Sequence, residues 1–166
     1  MAVVVIEGLP GLLGALLDCA EDALDPTPGR VLVAPGGEVA WDACCDGQLW
    51  VRVVGVTDAT DLLGIRVGAD GSCQTAAWRV DIGVGVLRCT PTVDDRGRAP
   101  SADDLTGNAG QLLEDMAALA GAVACCAPVM RPLDLAWLPL GPEGGCAGGE
   151  WTFGVIRQAC PCPEEE

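Results

Sequence analysis

Residues 74–89, QTAAWRVDIGVGVLRC, carry the longest strand signal in the chain. Ala76, Trp78, Val80, Ile82, Val84 and Val86 occupy one face without a break. Alternation of this length marks a strand buried on one side. Its other face holds Thr75, Arg79, Asp81, Gly83 and Gly85, and the two glycines permit a close backbone approach or a bend.

Further strands are expected on both sides of this one. Arg30 to Ala34 reads as a strand ended by Pro35-Gly36-Gly37. Asp46-Gly47 turns the chain into Gln48 to Val56, with Leu49, Val51 and Val53 on one face. Thr57 to Ser72 has no clear period and reads as a loop. A last hairpin is expected from Leu133 to Leu140 and Trp151 to Arg157, joined by the Gly-rich GPEGGCAGGE. Residues 2–6, AVVVI, suit either a short strand or an arm.

Two helices complete the pattern. Over residues 10–24, Pro10 suits a first helical position, and Leu9, Leu13, Leu16, Leu17 and Leu24 share a face. A second helix begins at Ser101, where Asp104 completes a capping-box-like pair. Its apolar positions are Leu105, Ala109, Leu112, Met116, Leu119, Val123 and Cys126, as in a helix laid on a sheet. The order is helix, three strands, helix, two strands. Short connections between consecutive strands imply antiparallel pairing. The expected class is α+β: a mainly antiparallel four- to five-stranded sheet packed by two helices. With 166 residues and no internal repeat or linker, residues 1–166 form a single domain, with a short acidic tail over about 158–166 expected to fray.

Composition narrows the function. The chain contains no His and no Lys, and its nine cations are all Arg. That removes a His general base, Ser-His-Asp and Cys-His pairs, imidazole metal ligands, Schiff bases and the phosphate-loop lysine. Neither a phosphate-binding loop nor a GxGxxG after a strand occurs. The chain reads as no enzyme and as needing no cofactor. Its net charge of −15 argues against binding nucleic acid by neutralising phosphates, which needs clustered cations. Acidity instead keeps a chain of mean hydropathy +0.35 soluble, or forms a wall that repels DNA without trapping it. Residues 1–24 lack a basic leading region and Glu7 interrupts their apolar run, so no signal peptide is expected. Met116 to Met130 is too short to span a bilayer. A soluble protein made in the cytoplasm follows.

Ten cysteines invite a zinc or disulfide reading. No CxxC knuckle exists, and the vicinal pairs Cys44-Cys45 and Cys125-Cys126 do not easily aim both thiolates at one metal. A disulfide framework belongs to small exported domains that lack a core. The expectation is therefore mostly free, buried thiols, with Cys126 on the helix face, and one or two disulfides formed only after release into an oxidising medium.

Three stretches together resemble a known family: GEVAWDACCDGQLWVRVVGV, then AWRVDIGVGVLRCTPTVDDRGRAPSADDL, then WLPLGPEGGCAGGEWTFGV after a helix. They resemble the neck and tail-terminator proteins of long-tailed phages infecting actinobacteria, over about residues 30–157. The resemblance implies a tail-terminator-like α+β subunit that forms a hexameric ring on the last ring of the tail tube. Such a ring ends tube polymerisation and joins the tail to the head-side connector. DNA passes through its typically acidic lumen without specific binding. The implied partners are further copies of the chain, the major tail tube protein and the head-side connector or stopper; the implied place is the tail or neck of the virion, with no membrane.

Rivals are another neck component, a head-tail stopper or adaptor, and a Cys-dependent metal or redox protein. Interface candidates follow the loops. Asp94, Asp95, Arg96 and Arg98, in PTVDDRGRAPS, offer salt links to a neighbour. Trp41 and Trp50 are either core or interface anchors, with core expected for at least one. The hairpin tip from Glu143 to Gly149 is expected to order on docking.

Overall fold

A computed structural model describes residues 8–59, 76–125 and 131–159. Residues 2–6, most of the expected 57–72 loop, Cys126 and the end of the acidic tail lie outside the described residues. Elements run α1 (Leu9–Ala23), β1 (Arg30–Val33), a 3-10 turn (Cys44–Asp46), β2 (Gln48–Asp58), β3 (Ala76–Cys89), α2 (Ala102–Cys125), β4 (Leu133–Glu143) and β5 (Cys146–Ala159). The architecture is α+β, with one five-stranded sheet in the order β1-β2-β3-β5-β4. Residues Ala76–Cys89 of the opening stretch thus form the central strand.

The sheet is mixed. β2–β3, β3–β5 and β4–β5 are antiparallel, but β1 runs parallel to β2, with Arg30 opposite Gln48 and Val33 opposite Val51. This corrects the expectation drawn from short connections. Residues 34–47 do not turn back as a hairpin; they cross one end of the sheet and re-enter it in the same direction, as a parallel pair requires.

Both helices cover one face. Leu13, Leu16, Ala20 and Leu24 from the α1 region and Leu119, Ala122 and Val123 from α2 pack on Leu49, Val51, Val80, Ile82, Val84, Val86, Phe153 and Val155. Of the alternating residues, Val80, Ile82, Val84 and Val86 belong to this core. Trp137 and Trp151 extend it, their ring centroids 5.5 Å apart, and Trp151 Nε1 donates to the Met116 carbonyl at 2.8 Å. Only the second half of the α2 stripe enters the core. Leu105 remains 48% exposed and Ala109 is exposed, while Leu119 and Val123 are buried. The expected cap is present. The Asp104 amide donates to Ser101 Oγ at 3.1 Å, and the Ser101 hydroxyl donates to Asp104 Oδ2 at 2.6 Å. That bond holds the Asp104 carboxyl below its ordinary value.

Toward the Cys89 end of β3 the other face is covered as well, which a strand buried on one side would not require. Residues 82–88 of β3 are all buried. The Trp50 ring lies over Gly85, and the Glu150 side chain lies over Gly83; a Cβ on either glycine would overlap the group above it. Ala34, Cys44, Leu87 and Cys146 form a second small core around Trp50, with Leu32, Val39, Trp41 and Leu140 against it. The glycines read as places of close approach are that, with an indole and a carboxylate in the space.

The hairpin tip differs from expectation. β4 reaches Glu143 and β5 begins at Cys146, leaving Gly144 and Gly145 as the turn, both at positive φ. Two positive-φ residues are what a tight two-residue hairpin demands. Most of GPEGGCAGGE is therefore strand. β5 also continues to Ala159, into the stretch assigned to the tail.

Candidate functional site

The open face carries a cleft of about 300 Å³ lined by Gly37, Glu38, Trp41, Trp50, Arg52 and Glu150, with Glu143 and Leu140 at its side. Its floor is a polar triad built by strand alternation. Trp50 and Arg52 are two residues apart on β2 and so face the same way, and Glu150 of β5 reaches them across Gly83 and Gly85 of β3. Trp50 Nε1 donates to Glu150 Oε1 at 2.7 Å, Arg52 Nε donates to the same oxygen at 2.7 Å, and Arg52 Nη2 donates to Oε2 at 2.7 Å. Arg52 also donates to the Gly37 carbonyl, tying the roof to the floor. The hydrogen bonds that Arg52 donates to Glu150 raise the Arg52 pKa further, with Glu38 adding at longer range. The charge of Glu150 is thus cancelled within the floor.

Glu38 and Glu143 remain exposed at the rim. An adjoining cleft of about 410 Å³ is lined by Trp41, Glu143 and Gly144. Indole surface with an acidic rim suits an apolar or cationic side chain of a protein partner and disfavours an anion.

Of the interface candidates, Trp41, Trp50 and Glu143 meet at this cleft. Trp50 is core, 1% exposed, while Trp41 is half-buried on the rim. Gly149 is a correction. It lies inside β5, buried, where a Cβ would overlap the Trp137 ring. It belongs to the packing and cannot be part of a tip that orders on docking. The tip itself is held by the Cys44–Cys146 disulfide and by the Thr90 amide donating to the Gly145 carbonyl at 2.8 Å.

The 94–98 loop stands apart and is organised by one carboxylate. Asp94 Oδ1 accepts from the Arg96 and Arg98 amides at 2.9 Å each, and Arg98 Nε donates to Oδ2 at 3.1 Å. Gly97 turns at positive φ, its amide donating to the Asp94 carbonyl. These bonds, led by that from the Arg98 amide, hold the Asp94 carboxyl below its ordinary value. Asp94 and Arg98 therefore serve each other. Asp95 and Arg96 are exposed, with no side-chain ion pair among the described residues, and remain the outward charges of the four.

Sequence reading missed three features. Arg52 and Glu150 had a trace in the glycines opposite them. Arg88 and Asp115 form a buried pair, at 2.9 and 3.1 Å, that ties β3 to α2, with Gln111 adding a donor to Asp115 at 3.1 Å. Nothing in the spacing marks these two as partners. The third is the cysteine pattern. Cys44 is bonded to Cys146, Cys45 to Cys89, and Cys19 is also in a disulfide; of the described cysteines only Cys125 is free. The expectation of mostly free thiols is overturned there, because the crossing segment carries the vicinal pair to the ends of two neighbouring strands.

Charge is unevenly spread. Arg30, Arg52, Arg79, Arg88 and Arg98 each pair with a carboxylate. Neither α1 nor α2 contains a cation, while Asp18, Glu21, Asp22, Asp103, Asp104 and Glu114 lie on them. Uncompensated negative charge therefore collects on the helical layer, and on the last turn of α1 it opposes the helix dipole. Among the described residues no helix is long and apolar enough to cross a membrane. Searches with family models and against curated proteins returned no match for this chain.

Proposed function

We propose that the chain is the subunit of a tail-terminator-like ring, a structural virion protein that caps a phage tail tube, ends its growth and joins it to the head-side connector. The observation that carries this reading is the pair of unlike sheet edges that carry no further strand among the described residues. On one side β1 pairs only with Gln48 to Val51, so the rest of β2 has no outer strand among the described residues, and Val54 and Val56 stand exposed there. On the other, β4 is an edge strand with Leu135 and Leu138 exposed. Free edges bearing aliphatic side chains invite pairing with another chain. When two different edges meet, the contact is heterologous, and a heterologous contact that closes on itself makes a ring.

Two further features support it. The cation-free helical layer suits a lumen wall past which DNA slides without being held. An open sheet with two helices on one face also fits a terminator better than a stopper, commonly a small β-barrel, or an adaptor, largely helical. The absence of His and Lys from the sequence favours assembly over catalysis. The reading is tested by mixing the purified chain with tail tubes of its phage and imaging them. Density capping one tube end and a halt in tube growth are expected; tubes that stay bare and keep growing in excess protein contradict it.

A further inference from the structure

Four cysteines from three separate parts of the sequence meet at one end of the sheet. Cys44 and Cys45 are consecutive in the 3-10 turn; Cys44 is bonded to Cys146 with a Cα separation of 5.7 Å, and Cys45 to Cys89 with one of 4.2 Å. Cys89 and Cys146 are themselves direct partners across β3 and β5. Because the Thr90 amide donates to the Gly145 carbonyl, residues 90 and 145 form the hydrogen-bonded pair. Cys89 and Cys146 are then the adjacent non-hydrogen-bonded pair, whose side chains approach most closely on one face. Each sulfur therefore has two neighbouring sulfurs, one through its disulfide and one through chain adjacency or strand register.

The two disulfides differ in access. Cys45 and Cys89 are exposed, whereas Cys44 and Cys146 are buried beside Trp50 and Leu87. Thiol–disulfide exchange depends on which sulfur an attacking thiolate can reach. An external thiol therefore meets Cys45–Cys89 first, and the thiolate freed at Cys89 lies opposite a sulfur of the buried bond.

We propose that these cysteines form a thiol-exchange relay in which one dithiol equivalent releases both disulfide attachments of the 3-10 turn. A thiolate of the external dithiol attacks Cys45 Sγ, the Cys45–Cys89 bond breaks, and Cys89 leaves as thiolate. Cys89 then attacks Cys146 Sγ, forming a cross-strand disulfide and expelling the Cys44 thiolate. The second thiol of the dithiol attacks its own sulfur on Cys45, leaves as an oxidised cyclic disulfide, and Cys45 becomes a thiol. The net change is one dithiol oxidised and one protein disulfide reduced. The product keeps Cys89–Cys146 across the sheet and carries Cys44 and Cys45 as thiols. The 34–47 segment that roofs the Trp41 cleft then loses both covalent ties to β3 and β5 and is held there by non-covalent contacts alone, among them the hydrogen bonds from Gln48 to the Ala40 carbonyl and from Arg52 to the Gly37 carbonyl. This inference stands independently of the ring reading.

The test is disulfide mapping by mass spectrometry of the full oxidised chain after limiting dithiothreitol and rapid alkylation. The species reduced by two electrons at this cluster should carry alkylated Cys44 and Cys45 and a Cys89–Cys146 cross-link. Cys45→Ser, which frees Cys89 from the start, should give the same cross-link with Cys44 alkylated and no reductant added. Alkylated Cys45 and Cys89 with Cys44–Cys146 intact would overturn the relay. So would one zinc ion per reduced chain that protects all four thiols from alkylation, which would make the cluster a metal site.

Discussion

The two faces of the sheet are closed by different physics. Under the helices, Val80, Ile82, Val84 and Val86 of β3 meet leucines of α1 and α2 in a continuous apolar layer. Hydrophobic burial is non-directional, so that face tolerates changes that keep its volume. On the opposite face the same strand presents glycines, and closure comes from one indole, one ion pair and two disulfides brought in from residues 34–52 and 146–150. That arrangement depends on geometry, since each group fills a space shaped for it. The sheet is thus packed on both faces over residues 82–88 of β3, while its edges have no further strand among the described residues.

The largest effect expected from disturbing this contrast is at Trp50. Trp50→Ala should cost ~3–5 kcal/mol in denaturant unfolding, comparable with Ile82→Ala on the helical side at ~2–5 kcal/mol, because both empty a packed site. A loss below about 1 kcal/mol at Trp50 would mean that the open face is surface and not core. Next come the two buried ion pairs. Asp115→Ala strands Arg88 inside the β3–α2 contact and should cost ~3–5 kcal/mol. Glu150→Ala leaves Arg52 closer to solvent and should cost less, about 2–3 kcal/mol, measured by the same unfolding curves. Reversal of that order would show that the cleft floor is the more tightly sealed of the two.

Smaller effects belong to the loops. Ser101→Ala removes the α2 cap and should lower the thermal midpoint by about 2–4 °C, read by circular dichroism. Smallest is the pH response of Asp94 and Asp104. Both carboxyls sit below the unfolded value of 3.8, so their contribution is complete above that value and is lost as pH falls through the lowered folded one. Carboxyl titration by NMR should give midpoints below 3.8 for both residues; midpoints at or above it would mean that the Asp94 turn and the α2 cap are not held in solution.

The helical face was legible in sequence because its information is local. Period-two alternation at Val80, Ile82, Val84 and Val86 and the leucines of residues 9–24 each declare a buried side without reference to a partner. Leu119 and Val123 of the α2 stripe followed the same rule, and the Ser101–Asp104 cap was readable from two residues. The open face was not, because its groups meet across about a hundred residues: Trp50 with Glu150, Cys44 with Cys146. Gly83 and Gly85 recorded that something lay close and could not say what. For the candidate site, Trp41, Trp50 and Glu143 were found as separate points, and the cleft uniting them depends on the crossing of residues 34–47. Parallel pairing of β1 was hidden for the same reason. Gly149 was misassigned because a Gly-rich stretch looks like a turn until Trp137 is seen to need the space.

The central claim is that the free edges of this sheet close a ring, and it is tested most directly on the purified oxidised chain by native mass spectrometry with negative-stain imaging. A closed hexamer with a central hole is predicted. A monomer that persists as protein concentration is raised would contradict it.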